Sequence, residues 1–255
     1  MDAVKLAKTQ HRQYPVHLVG NTSTARQDKL SNYNTGWEHH QSVRRHHYPG
    51  VVFDPEMTFR IHIKRLAGKC FYQLRQLRGV WGALKLDASK AVVHAFISRR
   101  VDYCNSIFSL VRTKHLHPLQ SVLNAATRVI SRRRKYDHIS EVVHDQLNWL
   151  PITERIEYKL CILVYKCLHQ LAPQCLVEMC KVASELPGRR NLRSASRGAL
   201  IELRTKTSTY GSRSFALGGP RTWNRLPSNL CDHSLSLGQF SSVLKTELFR
   251  TVVLC

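Results

Sequence analysis

One apolar stripe restricts what this sequence can fold into. Its members recur at alternating steps of three and four residues: Phe59, Ile63, Leu66, Cys70, Leu74 and Leu77. Because an α-helix has 3.6 residues per turn, this spacing puts all six on one face of a helix of roughly six turns. Gly79 and Gly82 follow the stripe and are expected to end the helix.

The segment before the stripe predicts a strand and a helix start. The apolar run Val51–Phe53 has the length of a short strand, and Asp54 follows it directly. Pro55 and Glu56 are residue types that favour the first turn of a helix. Asp54 is therefore predicted to be the N-cap of a helix that begins at once, rather than a catalytic carboxylate.

Helical periodicity continues through most of the chain. Asp87 is predicted to be the N-cap of a second helix, whose inward residues would be Ala91, Val92, Ala95 and Phe96. A third helix is expected to start near Pro118. Its core face would be formed by Leu119, Val122, Leu123, Ala126, Val129 and Ile130.

The C-terminal half also predicts helices. A long one should run from about Thr153 to Gln170 and bury Ile156, Leu160, Leu163, Val164 and Cys167. A short helix is expected over Cys175–Val182. The final helix would bury Leu237, Phe240, Val243, Leu244 and Leu248. Between these elements, "LIELRTKT" alternates like a strand, and Gly218-Gly219-Pro220 predicts a broken helical turn. The predicted fold class is mainly α, with a short C-terminal α/β module.

Residues 1–47 differ from the rest of the chain. They are polar, rich in His, Gln, Asn and Thr, and show no helical or strand period. A disordered basic tail is the expectation. Its histidines (His39, His40, His46 and His47) have no Cys or acid at ligand spacing, so no metal site is predicted there.

The charge balance favours a polyanionic partner. The chain has 39 Lys and Arg against 17 Asp and Glu, a formal net charge of +22. Such a field suggests nucleic acid first, and neither a membrane span nor a secretory signal is evident. We therefore expect an intracellular protein of the nucleus or cytoplasm, with its eight cysteines reduced and no membrane contact.

Six blocks of the sequence resemble a known family. They are "GVVFDPEMTFRIHI", "HAFISRRVDYCNSIF", "LQSVLNAATRVI", "HDQLNWLPITERIEYKLCILVYKCLHQLAP", "TYGSRSFALGGPRTWNRLPSNL" and "FSSVLKTELF". In this order they resemble the C-terminal part of the reverse transcriptase of LINE-type (non-LTR) retrotransposons, over roughly residues 48–250. Pro49 departs from the family pattern, which has Leu before Gly50.

The resemblance implies a division of the chain into three parts. Residues 1–47 would be the tail. Residues 48–135 would hold one orphan palm strand and a thumb-like helical bundle, and residues 136–255 a helical C-terminal extension. The family's catalytic aspartate pair lies upstream of these blocks, and this chain has no Asp-Asp pair. The resemblance thus implies no catalytic residue, cofactor or enzymatic activity. Without a palm to cover it, the apolar face of the first helix is expected to be exposed.

Other chemistries have weaker support. Cys161, Cys167, His169, Cys175 and Cys180 lack a CxxC pair, so core packing is favoured over zinc. Ion pairing or capping is the preferred role for Asp102 and Asp137, and Trp223 is expected to anchor the C-terminal module in the core.

The basic residues are the best functional candidates, because thumb helices grip a duplex through its phosphates. The predicted contacts are Lys64, Arg65, Lys69, Arg132, Arg133, Arg134, Lys135, Arg189, Arg190, Arg193 and Arg197. The main hypothesis is a non-catalytic polymerase fragment that binds RNA or DNA without sequence specificity. Two alternatives remain open: a transposon-derived relic with no selected activity, and a domesticated helical module that binds another protein.

Overall fold

A computed structural model describes residues 46–48, 50–185, 198–203, 214–231 and 234–253. Every described residue belongs to one unit, Ser42–Cys255. This unit is mainly α-helical, which confirms the predicted fold class. Residues 1–45 of the predicted tail lie outside the described residues. The division at residue 135 stays a prediction.

The predicted strand is formed and has a partner. Strand β1 (His46–Tyr48) pairs antiparallel with β2 (Val51–Phe53), so that His46 lies opposite Phe53. Two residues of β1, His46 and His47, belong to the segment predicted as tail. Gly50 lies in the intervening turn with φ +79°, and a Cβ there would lie 2.9 Å from the Tyr103 ring. Glycine therefore fits both the backbone and the space at this turn.

The described residues form eight α-helices. In chain order they are α1 (Arg60–Val80), α2 (Leu86–Val93), α3 (Arg99–Asp102), α4 (Thr113–Ile130), α5 (Ile152–Leu168), α6 (Gln174–Val177), α7 (Phe215–Trp223) and α8 (Leu237–Val253). Within the described ranges, two π-helical turns occur, at His94–Ser98 and Val142–Gln146. Short 3-10 turns lie at Trp81–Ala83, Asn105–Phe108, Ala183–Glu185 and Ser228–Leu230.

Asp54 caps a turn, and not the helix that the sequence predicted. The carboxylate accepts hydrogen bonds from the amide and the hydroxyl of Thr58, both at 2.6 Å, while Met57 N–H donates to the Asp54 carbonyl. Helix α1 begins only at Arg60, because Phe59 has a left-handed backbone, with φ 56°. The Phe59 ring is buried between Phe53 and Phe108, and this burial outweighs the modest cost of the left-handed conformation.

The apolar face of α1 is covered, contrary to the expectation of an exposed face. Ile63, Cys70 and Leu74 are buried in a cluster that also contains α4 side chains. The core face predicted for α4 is confirmed throughout, although α4 starts at Thr113, before Pro118. Helix α4 thus supplies the apolar partner that α1 requires. We call the set of buried residues that contains these α1 and α4 side chains the first cluster.

Helix α2 turns a different face inward from the one predicted. Ser89, Val93, Ile97 and Val101 are buried, whereas Phe96 is 45% exposed. The sequence has small or apolar residues on both faces of this segment, so periodicity alone does not select one. The π-helical turn at His94–Ser98 also accommodates an extra residue, which shifts the face presented by the following turns.

A second cluster lies around the C-terminal half of α5. It joins Cys161, Val164 and Tyr165 of α5 to Trp223, at the end of α7, and to buried residues of α8. The core positions Phe240, Leu244 and Leu248 are confirmed, but Val243 is 38% exposed. Trp223 is buried as predicted, and its indole N–H donates to the Gly198 carbonyl at 3.2 Å. Because Ile152 and Ile156 belong to the first cluster, α5 contributes to both.

Gly218-Gly219-Pro220 lies inside a continuous helix, and the predicted broken turn is wrong. Helix α7 packs closely on α5 there, and a Cβ on Gly219 would lie 3.1 Å from Val164 Cγ2. The glycines permit this approach, and Pro220, the sixth residue of α7, lies inside the helix at the cost of one amide hydrogen bond. Of the predicted strand after residue 199, Leu200 forms a single bridge with Val182, and residues 204–213 lie outside the described residues.

Replacing Gly219 with valine is expected to destabilise the protein by about 2–3 kcal/mol, because the added methyl groups would enter space held by Val164 and Phe215. Gly68→Val is the matched control: Gly68 lies in α1 with nothing within 4 Å, so a change of about 0.5 kcal/mol or less is expected. Urea unfolding measures both. Equal effects of the two substitutions would contradict the close packing of α7 on α5.

Candidate nucleic-acid interface

The outward side of α1 carries only positive charge. The helix contains no acidic residue, and all its cations are exposed: Arg60, Lys64, Arg65, Lys69, Arg75 and Arg78. At 100° per residue they spread over about half of the helix circumference, and from Arg60 to Arg78 they span about 27 Å. None makes an ion pair with any residue that the structure describes. We call this surface the α1 basic face.

Two aromatic side chains interrupt these cations. Tyr72 is 54% exposed and Phe71 is 40% exposed. Tyr72 lies between Arg75 and Arg65 around the helix axis, on the side opposite the buried stripe. Cations with interspersed aromatic rings form a surface that suits phosphates and bases.

The sequence predicted half of the α1 basic face. Lys64, Arg65 and Lys69 lie on it, whereas Arg60, Arg75 and Arg78 were not predicted. The signal that could have identified them was the absence of any acid across the whole helix. A helix exposed merely to solvent commonly carries both signs of charge, because opposite charges four residues apart stabilise it.

The predicted patch at the end of α4 is partly engaged in local structure. Arg132 donates from Nη2 to the Leu84 carbonyl at 3.3 Å, and Arg133 donates from Nη1 to the His138 carbonyl. The backbone N–H of Arg134 donates to Asp137 at 2.7 Å, so Asp137 caps this turn. Lys135 lies over the Tyr136 ring at 5.1 Å. The Arg132 and Arg133 guanidinium groups are therefore less available to phosphates than those of α1.

The remaining predicted contacts, Arg189, Arg190, Arg193 and Arg197, lie outside the described residues.

The charges of the α1 basic face act on a buried histidine. His62 is 7% exposed, and its Nδ1 accepts a hydrogen bond from the Val52 N–H at 3.3 Å. Burial lowers the pKa of His62 below its ordinary 6.5, and the nearby Lys69 and Arg65 lower it further. The neutral imidazole therefore connects α1 to β2.

Acidification is expected to destabilise the protein through His62. The folded pKa is depressed, so the contribution is fully present above about pH 6.5, the unfolded value, and is lost as the pH falls through the folded pKa. His62→Gln retains an acceptor that does not titrate. Urea unfolding between pH 7.5 and 5.5 should therefore show a smaller loss of stability in the variant. Identical pH dependence in both proteins would contradict this role.

Three of the cysteines for which core packing was predicted are buried, whereas Cys175 is exposed. Cys161, Cys167 and Cys180 are buried, and burial raises the pKa of Cys180 to about 12 and that of Cys161 well above its ordinary value. Zinc ligation requires thiolates, which this burial disfavours. Among the residues that the structure describes, no group of three His, Cys, Asp or Glu side chains is arranged to hold a metal ion.

Asp102 makes the ion pair that the sequence favoured. Both of its carboxylate oxygens accept hydrogen bonds from Arg155 Nη1, at 3.2 and 3.0 Å. Arg155 also donates from Nε to the Leu150 carbonyl at 2.7 Å, and its guanidinium lies 5.3 Å from the Trp149 ring centroid. Asp102 therefore joins α3 to α5.

Comparisons with protein-family models, with curated proteins and with solved structures find no match to this chain. Across the described residues, none of the helices combines the length and the apolar character needed to cross a membrane.

Proposed function

We propose that this chain is a non-catalytic nucleic-acid-binding protein, related to the thumb and C-terminal extension of LINE-type reverse transcriptases. In this proposal, the α1 basic face contacts the phosphates of an RNA or DNA duplex without reading its bases. The observation that carries it is the unbroken positive charge of α1, six exposed cations and no acid in one helix. Each phosphate contact would release condensed counterions, which is the main source of sequence-independent affinity.

The placement of the cations on α1 supports this role better than the net charge of the chain does. A net charge of +22 favours weak binding to any polyanion. A helix held by a buried apolar stripe offers more, because it keeps its cations in fixed relative positions along about 27 Å. A duplex carries one charge per about 1.7 Å, so this length faces several phosphates.

The proposed role involves no polymerase chemistry. The sequence has no adjacent aspartates to hold a pair of magnesium ions. Three of its aspartates have structural partners: Asp54 accepts hydrogen bonds from Thr58, Asp102 pairs with Arg155, and Asp137 caps the Arg134 turn.

Fluorescence anisotropy with a labelled DNA duplex tests the proposal. The triple variant Lys64→Gln, Arg65→Gln, Lys69→Gln is expected to reduce the slope of log K against log salt by about 2 to 3, which corresponds to three lost phosphate contacts. A matched triple variant, Arg112→Gln, Lys114→Gln, Lys181→Gln, removes the same charge from exposed positions outside α1. It should change the slope by less than about 1.

If both triple variants changed the salt slope equally, binding would depend only on net charge, and the role of α1 would be overturned. Failure of the unmodified protein to bind the duplex at low salt would overturn nucleic-acid binding through this face altogether.

A further inference from the structure

A groove lies apart from α1, between the α2–α3 segment, the start of α5 and α8. It consists of two adjoining cavities of about 510 and 320 Å³, which share His94, Leu147 and Trp149 in their linings. None of the lining residues belongs to α1. We call it the Trp149 groove.

The groove has a large excess of positive charge. The larger cavity is lined by Lys90 and Arg99, and the smaller one by Arg155, Lys159 and Lys245. Asp102 is the one carboxylate among the lining residues, and Arg155 already binds it. The other four cations make no ion pair with any residue in the described part of the chain.

Lys245 is the clearest sign that an anion would be favoured here. It is partly buried, and both this burial and the positive charge of Arg155 lower its pKa. The ammonium and guanidinium groups repel each other in the smaller cavity, where Lys159 adds a third charge. A bound phosphate would relieve that repulsion and replace lost hydration.

An aromatic ring lies at the junction of the two cavities. Trp149 lines both, and the Arg155 guanidinium supports the ring from 5.3 Å. Arg155 is itself held by Asp102 and the Leu150 carbonyl, so the ring has a fixed neighbour. Tyr158 adds a second aromatic side chain to the smaller cavity. Cations that track a backbone, together with a ring on which bases stack, are the components of single-strand binding sites.

We propose that the Trp149 groove binds single-stranded nucleic acid, with a base stacked on Trp149 and the flanking phosphates paired with Lys159, Lys245 and Arg99. A duplex suits the groove less well, because its bases are already stacked on one another and do not reach a recessed ring. This inference rests on the proposed nucleic-acid binding, but it assigns single strands to a surface separate from the α1 basic face.

Anisotropy with a labelled oligothymidine strand tests the groove in the full chain. Trp149→Ala is expected to weaken binding of the single strand about 10-fold, the loss typical of one stacked base. Trp149→Phe retains an aromatic ring and should lose about 3-fold or less. Both variants should bind the duplex within about 2-fold of the unmodified protein, because duplex binding uses α1.

A second variant avoids any disturbance of packing around Trp149. Lys159→Gln with Lys245→Gln should reduce the salt slope for the single strand by about 1.4, that is, by two phosphate contacts. The matched control, Lys114→Gln with Lys181→Gln, removes equal charge outside the groove and should leave the slope nearly unchanged.

The outcomes separate this inference from the proposed function. If Trp149→Ala and the double lysine variant both bound the single strand as well as the unmodified protein does, the proposed role of the groove would be overturned. This holds whatever the result with the duplex. Equal displacement of the strand by polyglutamate would also overturn it, because a polyanion without bases cannot stack. Trp149-dependent binding of the single strand without duplex binding would uphold the groove and overturn the role of α1.

Discussion

Replacing Phe240 with alanine is expected to destabilise the protein by about 3–5 kcal/mol. Phe240 belongs to α8, and its side chain is completely buried. Its ring stacks on Tyr165 with centroids 4.6 Å apart, and the Trp223 ring lies 5.7 Å away. Removing it would leave a cavity between α5, α7 and α8 and forfeit two aromatic contacts.

Urea unfolding followed by circular dichroism measures this loss. Val243→Ala is the matched control, because Val243 lies in the same helix with 38% of its surface exposed. Its expected cost is below about 1 kcal/mol. A loss below about 1 kcal/mol for Phe240→Ala as well would show that α8 does not pack on α5 in solution.

Replacing Arg155 with alanine is expected to cost about 3 kcal/mol, the lower end for one partner of a buried pair. The Arg155 side chain is 12% exposed and that of Asp102 26% exposed, so solvent compensates part of the loss. The substitution would leave the Asp102 carboxylate and the Leu150 carbonyl without their guanidinium donor.

Two control variants identify the source of this effect. Arg155→Lys retains the charge but not the planar arrangement of donors, and should recover only part of the stability. Arg250→Ala removes an ion pair with Glu247 in which the arginine is 65% exposed, and should cost about 0.5 kcal/mol or less. If Arg155→Ala were as mild as Arg250→Ala, the Asp102 pair would contribute no more than a surface pair.

The buried faces of the long amphipathic helices could be predicted because their apolar residues lie on a single face, and only one orientation of the helix buries them all. The six core residues predicted for α4 are all buried. The predicted range of α5 differs from Ile152–Leu168 by one or two residues at each end. In both helices local periodicity and tertiary packing select the same face.

Two local features could not be predicted, because contacts distant in sequence decide them. The delayed start of α1 depends on Phe59 entering a pocket formed by Phe53 and Phe108. The inward face of α2 depends on a π-helical turn and on which neighbours cover it. Neither the start of α1 nor the inward face of α2 can be read from the periodicity of apolar residues.

The candidate sites differ in the same way. The cations of α1 are neighbours in sequence, so counting charges along one helix locates them. Lys90, Trp149 and Lys245 of the Trp149 groove lie far apart in the chain, and only the packing of α5 against α8 and the α2–α3 segment brings them to one groove. The sequence pattern identified Trp223 as a core residue, but nothing in it singled out Trp149.

The shared helix α5 restricts how the chain can be shortened. Its first turns place Ile152 and Ile156 in the first cluster, and its later turns place Val164 and Tyr165 in the second. A fragment ending at residue 135 would expose the apolar residues that those two isoleucines cover. A fragment starting after α5 would leave α7 and α8 without Val164 and Tyr165. Truncations, fusions and split reporters should therefore keep residues 152–168 with both halves of the chain.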